Sequence, residues 1–491
     1  MNATKTIAIF AFFLLYMSTA KVFADEYTVS IDKDTPRLVR VSALVKPDGN
    51  EIGMNEEGIH GLKNGWATFV ENIKVSGADG RTYKTSALNN SRWKLLGYKS
   101  GTVRLEYNVR LKHDQVKIEF GDNGAAYATP DGVMWSGRAL FIAGKPSSDV
   151  MVHFNVPQNW KVTTPWEKLS GPRNSFRIQK TEYLVNSAIF AGTHTEFDLA
   201  AGEVTLRVAL SGKNTLKMRE QISRRTQLYL NYYGDVLRSA TRSQMVLIAS
   251  DRSYWGGEVM GRAISISIGG EPPEGFDPLD ALSHVIAHEI FHVFSWARIE
   301  FDQADEKAGR FEWFNEGFGA EYAAWTARLR SGEITAEEFL AEMVDQDTKY
   351  KAKVTGKLAL ISAGIDKAAN YDTVYSGGLI AAVSLDFLIR TETGNKQSLE
   401  DLWTYLLKEH PRGGEPLTIG KLFGVVKKLF GESIAKEFEG FINTPNEIHF
   451  YQNAGLMGLK LEEGKLIPDP EASEKQTSDW KRYRELPKLP Q

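Results

Sequence analysis

Apolar positions divide the chain into two textures. Between Tyr27 and about Ile178 they alternate or cluster in short runs: Tyr27–Ile31, Leu38–Val45, Val103–Leu111 and Val150–Val156. β-Branched residues fill these runs, and turn residues such as Asp48-Gly-Asn50 and Asp79-Gly80 separate them. The pattern predicts an all-β, sandwich-like domain over residues 25–178.

The period lengthens near Asn214. Met218–Leu237 reads as a helix, followed by strands at Gln244–Ser250 and Ala263–Ile268. Asp277-Pro278-Leu-Asp280 is a helix start, combining an N-cap residue, Pro at the first position and an acid at the positive end of the dipole. That helix should run through Trp296, and another should span Asn315 to about Arg330. Helical periodicity then dominates, at Ala336–Asp347, Leu379–Glu392, Leu399–Leu407 and Ile419–Phe441. From about residue 467 the chain turns rich in Pro, Lys and Glu and reads as an extended tail. The expected class is multidomain α+β: a β-domain at 25–178, a mixed domain at 179–334, a helical domain at 335–466 and a tail at 467–491.

The amino terminus has a different character. One lysine precedes an apolar run from Ile7 to Met17, and Val22-Phe-Ala24 stands before Asp25. This predicts a secretory signal peptide over residues 1–24, with cleavage after Ala20 as an alternative. The run is shorter than the roughly 20 residues of a spanning helix, which disfavours a retained anchor. No later stretch reads as long and apolar enough to cross a bilayer. The expected location is therefore outside the cytoplasm, in a bacterial periplasm or secreted.

Composition narrows the chemistry. With no cysteine among 491 residues, disulfides and thiolate metal sites are excluded, so a metal must be held by His, Asp or Glu. A net charge of −3 points to neither nucleic acid nor an anionic membrane as partner.

The segment His288-Glu289-Ile-Phe-His292 supplies the candidate chemistry. Residues four apart share a helix face, so both imidazoles can meet one point. Two imidazoles suit Zn²⁺, which tolerates an open position for water. Glu289 lies about 100° around the helix from His288, where it can reach that water as general base. The third ligand is left open among Glu316, Glu300, Asp302, Asp305, Glu306 and Glu312. Glu316 stands in Trp313-Phe-Asn-Glu316-Gly-Phe, 24 positions after His292, enough chain to return on a second helix.

These motifs resemble the gluzincin peptidases, and most closely the glycyl aminopeptidase family. The likeness lies in H-E-x-F-H followed by Arg298-Ile299, and in W-F-x-E-G-F. It implies a thermolysin-like zinc peptidase domain between the β-domain and the helical domain, with Glu316 as third ligand and one Zn²⁺ per chain. It implies Tyr375, in Val374-Tyr-Ser-Gly-Gly378, as a donor to the oxyanion, with Tyr371 as rival. It also implies that Trp255-Gly256-Gly257-Glu258 lines the substrate cleft, with Glu258 binding a free α-amino group. The family pattern Gly-Gly-x-Glu-His is broken by Val259, and no PDZ-sized segment follows Glu463.

The expectation is an exported zinc aminopeptidase acting on peptides or proteins and favouring small N-terminal residues. Rivals are an endopeptidase on the same scaffold, a hydrolase of non-peptide amides or esters, and a non-catalytic envelope binding protein that retains the zinc site. His284 is read as packed, or as hydrogen-bonded just outside the ligand set, and Glu321 as pointing elsewhere. The carboxylate partner of the histidines is not identified.

Overall fold

A computed structural model describes residues 25–55, 62–88, 91–115, 125–237, 243–272, 275–354, 358–445 and 448–486. The expected signal peptide, residues 1–24, lies outside them. The amino-terminal region is β-rich: a ten-stranded sheet packs on a four-stranded one. Its central strands alternate as expected, burying Tyr27, Val29 and Ile31 on Asp25–Ile31, and Val103, Leu105, Tyr107 and Val109 on Val103–Arg110. Tyrosine hydroxyls buried in this core find carbonyl partners, Tyr27 donating to Ile142 O (3.1 Å) and Tyr107 to Leu140 O (3.0 Å). The expected boundary at residue 178 falls inside the β-region. The strand Ala188–Gly192 pairs with both Gly132–Ser136 and Lys161–Thr163, completing the four-stranded sheet.

A five-stranded sheet follows, ordered Thr195–Ala201, Val204–Ser211, Ser243–Asp251, Ala263–Ile268 and Gly256–Met260. Its three inner strands are parallel, and Gly256–Met260 is an antiparallel edge strand. One face carries Ala209, Val246, Ile248, Met260 and Ala263, packed on Tyr127, Met134, Ala188 and Phe190 of the β-region. The other face is covered by the helices Arg219–Val236 and Pro278–Phe294.

The Pro278–Phe294 helix starts where the sequence signals it. Asp277 accepts from the backbone N–H groups of Leu279 (2.7 Å) and Asp280 (2.9 Å). The remaining chain is mostly helical and forms one continuous core with the five-stranded sheet, from Val204 to Tyr483. One helical segment among the described residues, Thr373–Thr393, is long and apolar enough to cross a membrane, contrary to the reading that no later stretch is. Buried residues make up 89% of its apolar window, which explains the composition. The expected extended tail is also corrected. Lys465–Pro468 pairs as a strand, and Glu474–Tyr483 is a helix capped by Ser473 that buries Trp480 and Tyr483. Two aromatic anchors in a charged sequence are too few to read as periodicity, yet they suffice to dock a ten-residue helix.

Candidate active site

His288 and His292 lie on the last two turns of the Pro278–Phe294 helix, both buried. Glu316 comes from a second helical stretch that runs from Glu312 to Arg330. Three donor atoms converge. His288 Nε2 is 3.1 Å from His292 Nε2, and Glu316 Oε2 lies 3.2 Å and 3.3 Å from the two. Donors 2.0–2.1 Å from a tetrahedral Zn²⁺ lie roughly 3.3 Å apart, so this triangle has the size of one face of such a site. Glu289 Oε2 is buried beside it without a hydrogen-bond partner among the described residues. The donor set and this orphaned acceptor fit a zinc ion with an open position.

The rival carboxylates are engaged elsewhere. Glu300 accepts from Gly413 N, Asp302 caps the helix Gln303–Lys307, and Asp305 holds Arg310 and the Ile419 N–H. Glu312 pairs with Lys367. Glu306 belongs to neither of the two ligand groups that gather among the described residues.

Glu321 corrects the sequence reading. Its Oε1 accepts from His288 Nδ1 (2.9 Å), and its carboxylate also bonds His284 Nε2. At the α-helical period, five positions from Glu316 would be about 140° away. The segment Glu316–Glu321 is instead a π-helical turn, whose i→i+5 bonding brings residue five round to the same side. Glu321 is thus the carboxylate that orients the His288 imidazole. Gly317 and Gly319 within a helix were the available signal.

A second π-helical turn, Thr373–Gly377, carries Tyr375. Its ring stacks near His288 (centroids 6.3 Å apart), and Tyr371 stacks on Tyr375 (4.2 Å) while remaining 53% exposed. Tyr375 is therefore the inner tyrosine and Tyr371 the outer. The two π-turns touch through glycine: a Cβ on Gly317 would lie 2.3 Å from the carbonyl oxygens of Val374 and Tyr375.

The edge strand brings Gly256, Gly257 and Glu258 alongside. A Cβ on Gly257 would lie 2.5 Å from Glu289 Cγ, so glycine is needed for the Glu289 carboxylate to sit against the strand. Glu258 is half-buried and pairs with Arg138 of the β-region at 3.1 Å, a partner the sequence did not suggest. Arg138 is held in turn by Asn186 (2.9 Å).

Electrostatics follow from burial. Burial pushes the Glu289 carboxyl up to about 7, while His288 and His292 pull the other way. Glu316 is held well below the ordinary carboxylate range: burial opposes this, but Lys367 and the histidines outweigh it. Lys367, also missed in sequence, donates to Glu316 Oε1 and lies 3.1 Å from Glu312 Oε2 and 5.4 Å from the Tyr375 ring centre. Burial would lower its pKa, yet Glu316, Tyr375 and Glu312 raise it well above the ordinary lysine range.

Comparison with known proteins bears on the fold. Residues 58–193 match the Peptidase M61 N-terminal domain. An aminopeptidase N family protein from Idiomarina loihiensis superposes with a TM-score of 0.74 at 16% identity, over 92% of this chain and 82% of that one. The chain has an aminopeptidase-like fold. An M1 zinc metallopeptidase from Deinococcus radiodurans, solved as a mutant bound to a Tyr-Ser-Ala substrate, gives a TM-score of 0.53 at 11% identity. That likeness covers 85% of this chain and 93% of that one. No curated protein matches the sequence.

Proposed function

We propose that this chain is an exported zinc-dependent peptidase, and within that class an aminopeptidase favouring small N-terminal residues. The observation that carries the reading is the convergence of His288, His292 and Glu316 on one point beside the orphaned carboxylate of Glu289. The thermolysin-like catalytic region, on this reading, is the five-stranded sheet with its two covering helices and the Glu316 stretch. Export rests on the sequence pattern of residues 1–24, and the residue preference rests on the likeness to glycyl aminopeptidases.

His288, His292 and Glu316 would hold the metal, which when bound supplies a Lewis acid for a peptide carbonyl and acidifies a water. Glu289, with a carboxyl pushed to about 7, is poised both to accept a proton from the attacking water and to return it to the leaving amine. Glu321 fixes the His288 ring by accepting from Nδ1, which directs Nε2 inward. Tyr375 keeps its proton, because burial and Glu316 raise its pKa, so it can donate to an oxyanion. The edge strand Gly256–Met260 offers backbone groups to an extended peptide, with Glu258 near its start.

One observation favours a second reading. Glu258 already pairs with Arg138, which weakens it as an amine anchor and favours an endopeptidase. A panel of aminoacyl-amides and amino-blocked peptides, with and without chelator, tests both. Chelator-sensitive cleavage of free-amine substrates is expected. Chelator-insensitive hydrolysis, or no zinc bound at one per chain, would overturn the zinc peptidase.

A further inference from the structure

The two oxygens of Glu316 have different partners. Oε2 faces both imidazoles, at 3.2 Å and 3.3 Å. Oε1 accepts from the Lys367 ammonium, which is also tied to Glu312 at 3.1 Å. An ammonium on Oε1 competes with a dication for the same lone pairs and repels it by charge. With Lys367 in place, only Oε2 is presented to the histidines.

Lys367 is not a loose surface residue that happens to point inward. Its ammonium-bearing chain is largely buried and follows a turn at Gly364–Asp366, docked on the start of the ligand-bearing helical stretch. A Cβ on Gly364 would lie 2.1 Å from Gly309 O and 2.5 Å from Glu312 Cβ, and one on Gly309 would lie 2.3 Å from Gly364 O. The turn is closed by Asp366, which accepts from Ala369 N at 3.0 Å, and by Asn370, which donates to Ala363 O at 3.2 Å. The lysine is therefore delivered by a rigid segment seated on the helix that carries its target. Its position above the Tyr375 face adds a third contact that fixes the ammonium.

From this geometry we infer that Lys367 is a positioning residue that enforces one-oxygen ligation by Glu316. A bound metal would thereby be left with three protein donors and one open position. The inference rests on the proposed zinc site and adds to it a determinant of coordination number. Without the lysine, Oε1 can swing onto the metal, raising the coordination number and filling space intended for substrate.

The test uses the full chain, stripped with chelator and reloaded with Zn²⁺ or Co²⁺. Wild type should bind one Zn²⁺, and its Co²⁺ form should show the intense visible bands of four-coordinate Co²⁺. Lys367→Met should bind Zn²⁺ at least as tightly as wild type in chelator competition, because a repelling charge is gone and Glu316 gains a second donor oxygen. Its Co²⁺ bands should drop to the weaker pattern of five or six donors. Lys367→Arg, which keeps a donor, should restore the wild-type bands. Should Lys367→Met not fold, Lys367→Gln, too short to reach Oε1, takes its place. A Co²⁺ spectrum identical to wild type in the folded variant overturns the inference, whether or not affinity changes, since a purely structural ion pair would leave ligation unchanged. If wild type binds no zinc, or if His288→Ala retains it, the underlying zinc site fails instead.

Discussion

Glu289 shows how a single residue acquires a role from its surroundings. It is buried against a glycine of the edge strand and beside two imidazoles, and burial pushes its carboxyl up to about 7, which suits the proposed role of taking and returning a proton. Glu289→Gln keeps shape and helix but cannot accept a proton. Zinc content should stay at one per chain, while turnover falls by about two to four powers of ten. Near-normal turnover in a zinc-loaded variant would remove Glu289 from the mechanism. His288, Glu289 and His292 were legible in sequence because α-helical spacing groups them, whereas Glu316 and Tyr375 were reached only through motifs that resemble a known family. Glu321, Lys367 and Arg138 were not legible. The first is shifted round by a π-turn, and the other two reach the site from a loop and from the β-region, where no local spacing connects them to the histidines.

At the scale of elements, two adjacent π-turns organise the centre. One presents Glu316 and Glu321 together, and the other presents Tyr375. Such turns are rare and sit often at functional sites, since the extra residue re-aims side chains that an α-helix would turn away. They also leave a close backbone contact, in which Gly378 Cα and Gly317 Cα face each other. The Asn-Glu-Gly-Phe motif thus includes its glycine for packing as much as for chemistry. Gly317→Ala would push a methyl to within 2.3 Å of two carbonyl oxygens, and the turns must separate. The expected cost is about 1–3 kcal/mol in stability, together with a measurable loss of zinc affinity as Glu316 and Tyr375 move apart. Thermal unfolding and zinc titration check both, and wild-type values in each would show that the contact can relax. Helix existence was readable from caps and period; the π-turns were not, because their sequence satisfies helical propensity either way.

On the scale of the whole molecule, the β-rich front and helical back were legible from period alone, whereas the boundary at 178 depended on long-range strand pairing and the tail on helix docking. The terminal helix is locked by Arg330, which donates to Tyr483 O (2.9 Å) and to Glu400 in a fully buried network with Asp386 and Arg390. Burial raises the Glu400 carboxyl, but Arg330 and Arg390 outweigh it and hold it below its ordinary value of 4.5. A carboxyl depressed in the folded state stabilises fully above that ordinary value and loses its contribution as pH falls below it. Glu400→Gln should therefore cost about 3 kcal/mol at neutral pH by leaving buried arginine charge uncompensated. It should also flatten the acid limb of a melting-temperature profile; an unchanged limb would place the acid sensitivity elsewhere. The final question joins the two halves of the molecule, because Arg138 of the β-region meets Glu258 of the edge strand at 3.1 Å. If Glu258 binds the substrate ammonium, Glu258→Gln should lose a charge-assisted hydrogen bond of about 1.5–3 kcal/mol. That is roughly a ten- to hundredfold loss in kcat/KM for free-amine substrates, with amino-blocked ones little affected. Arg138→Gln removes a cation that competes for the same carboxylate, so preference for free over blocked substrates should increase. Opposite movements in the two variants would identify the pair as the reader of the amino terminus. Equal cleavage of free and blocked peptides by wild type, unchanged in both variants, would make the Arg138–Glu258 pair a strut between the domains and the enzyme an endopeptidase.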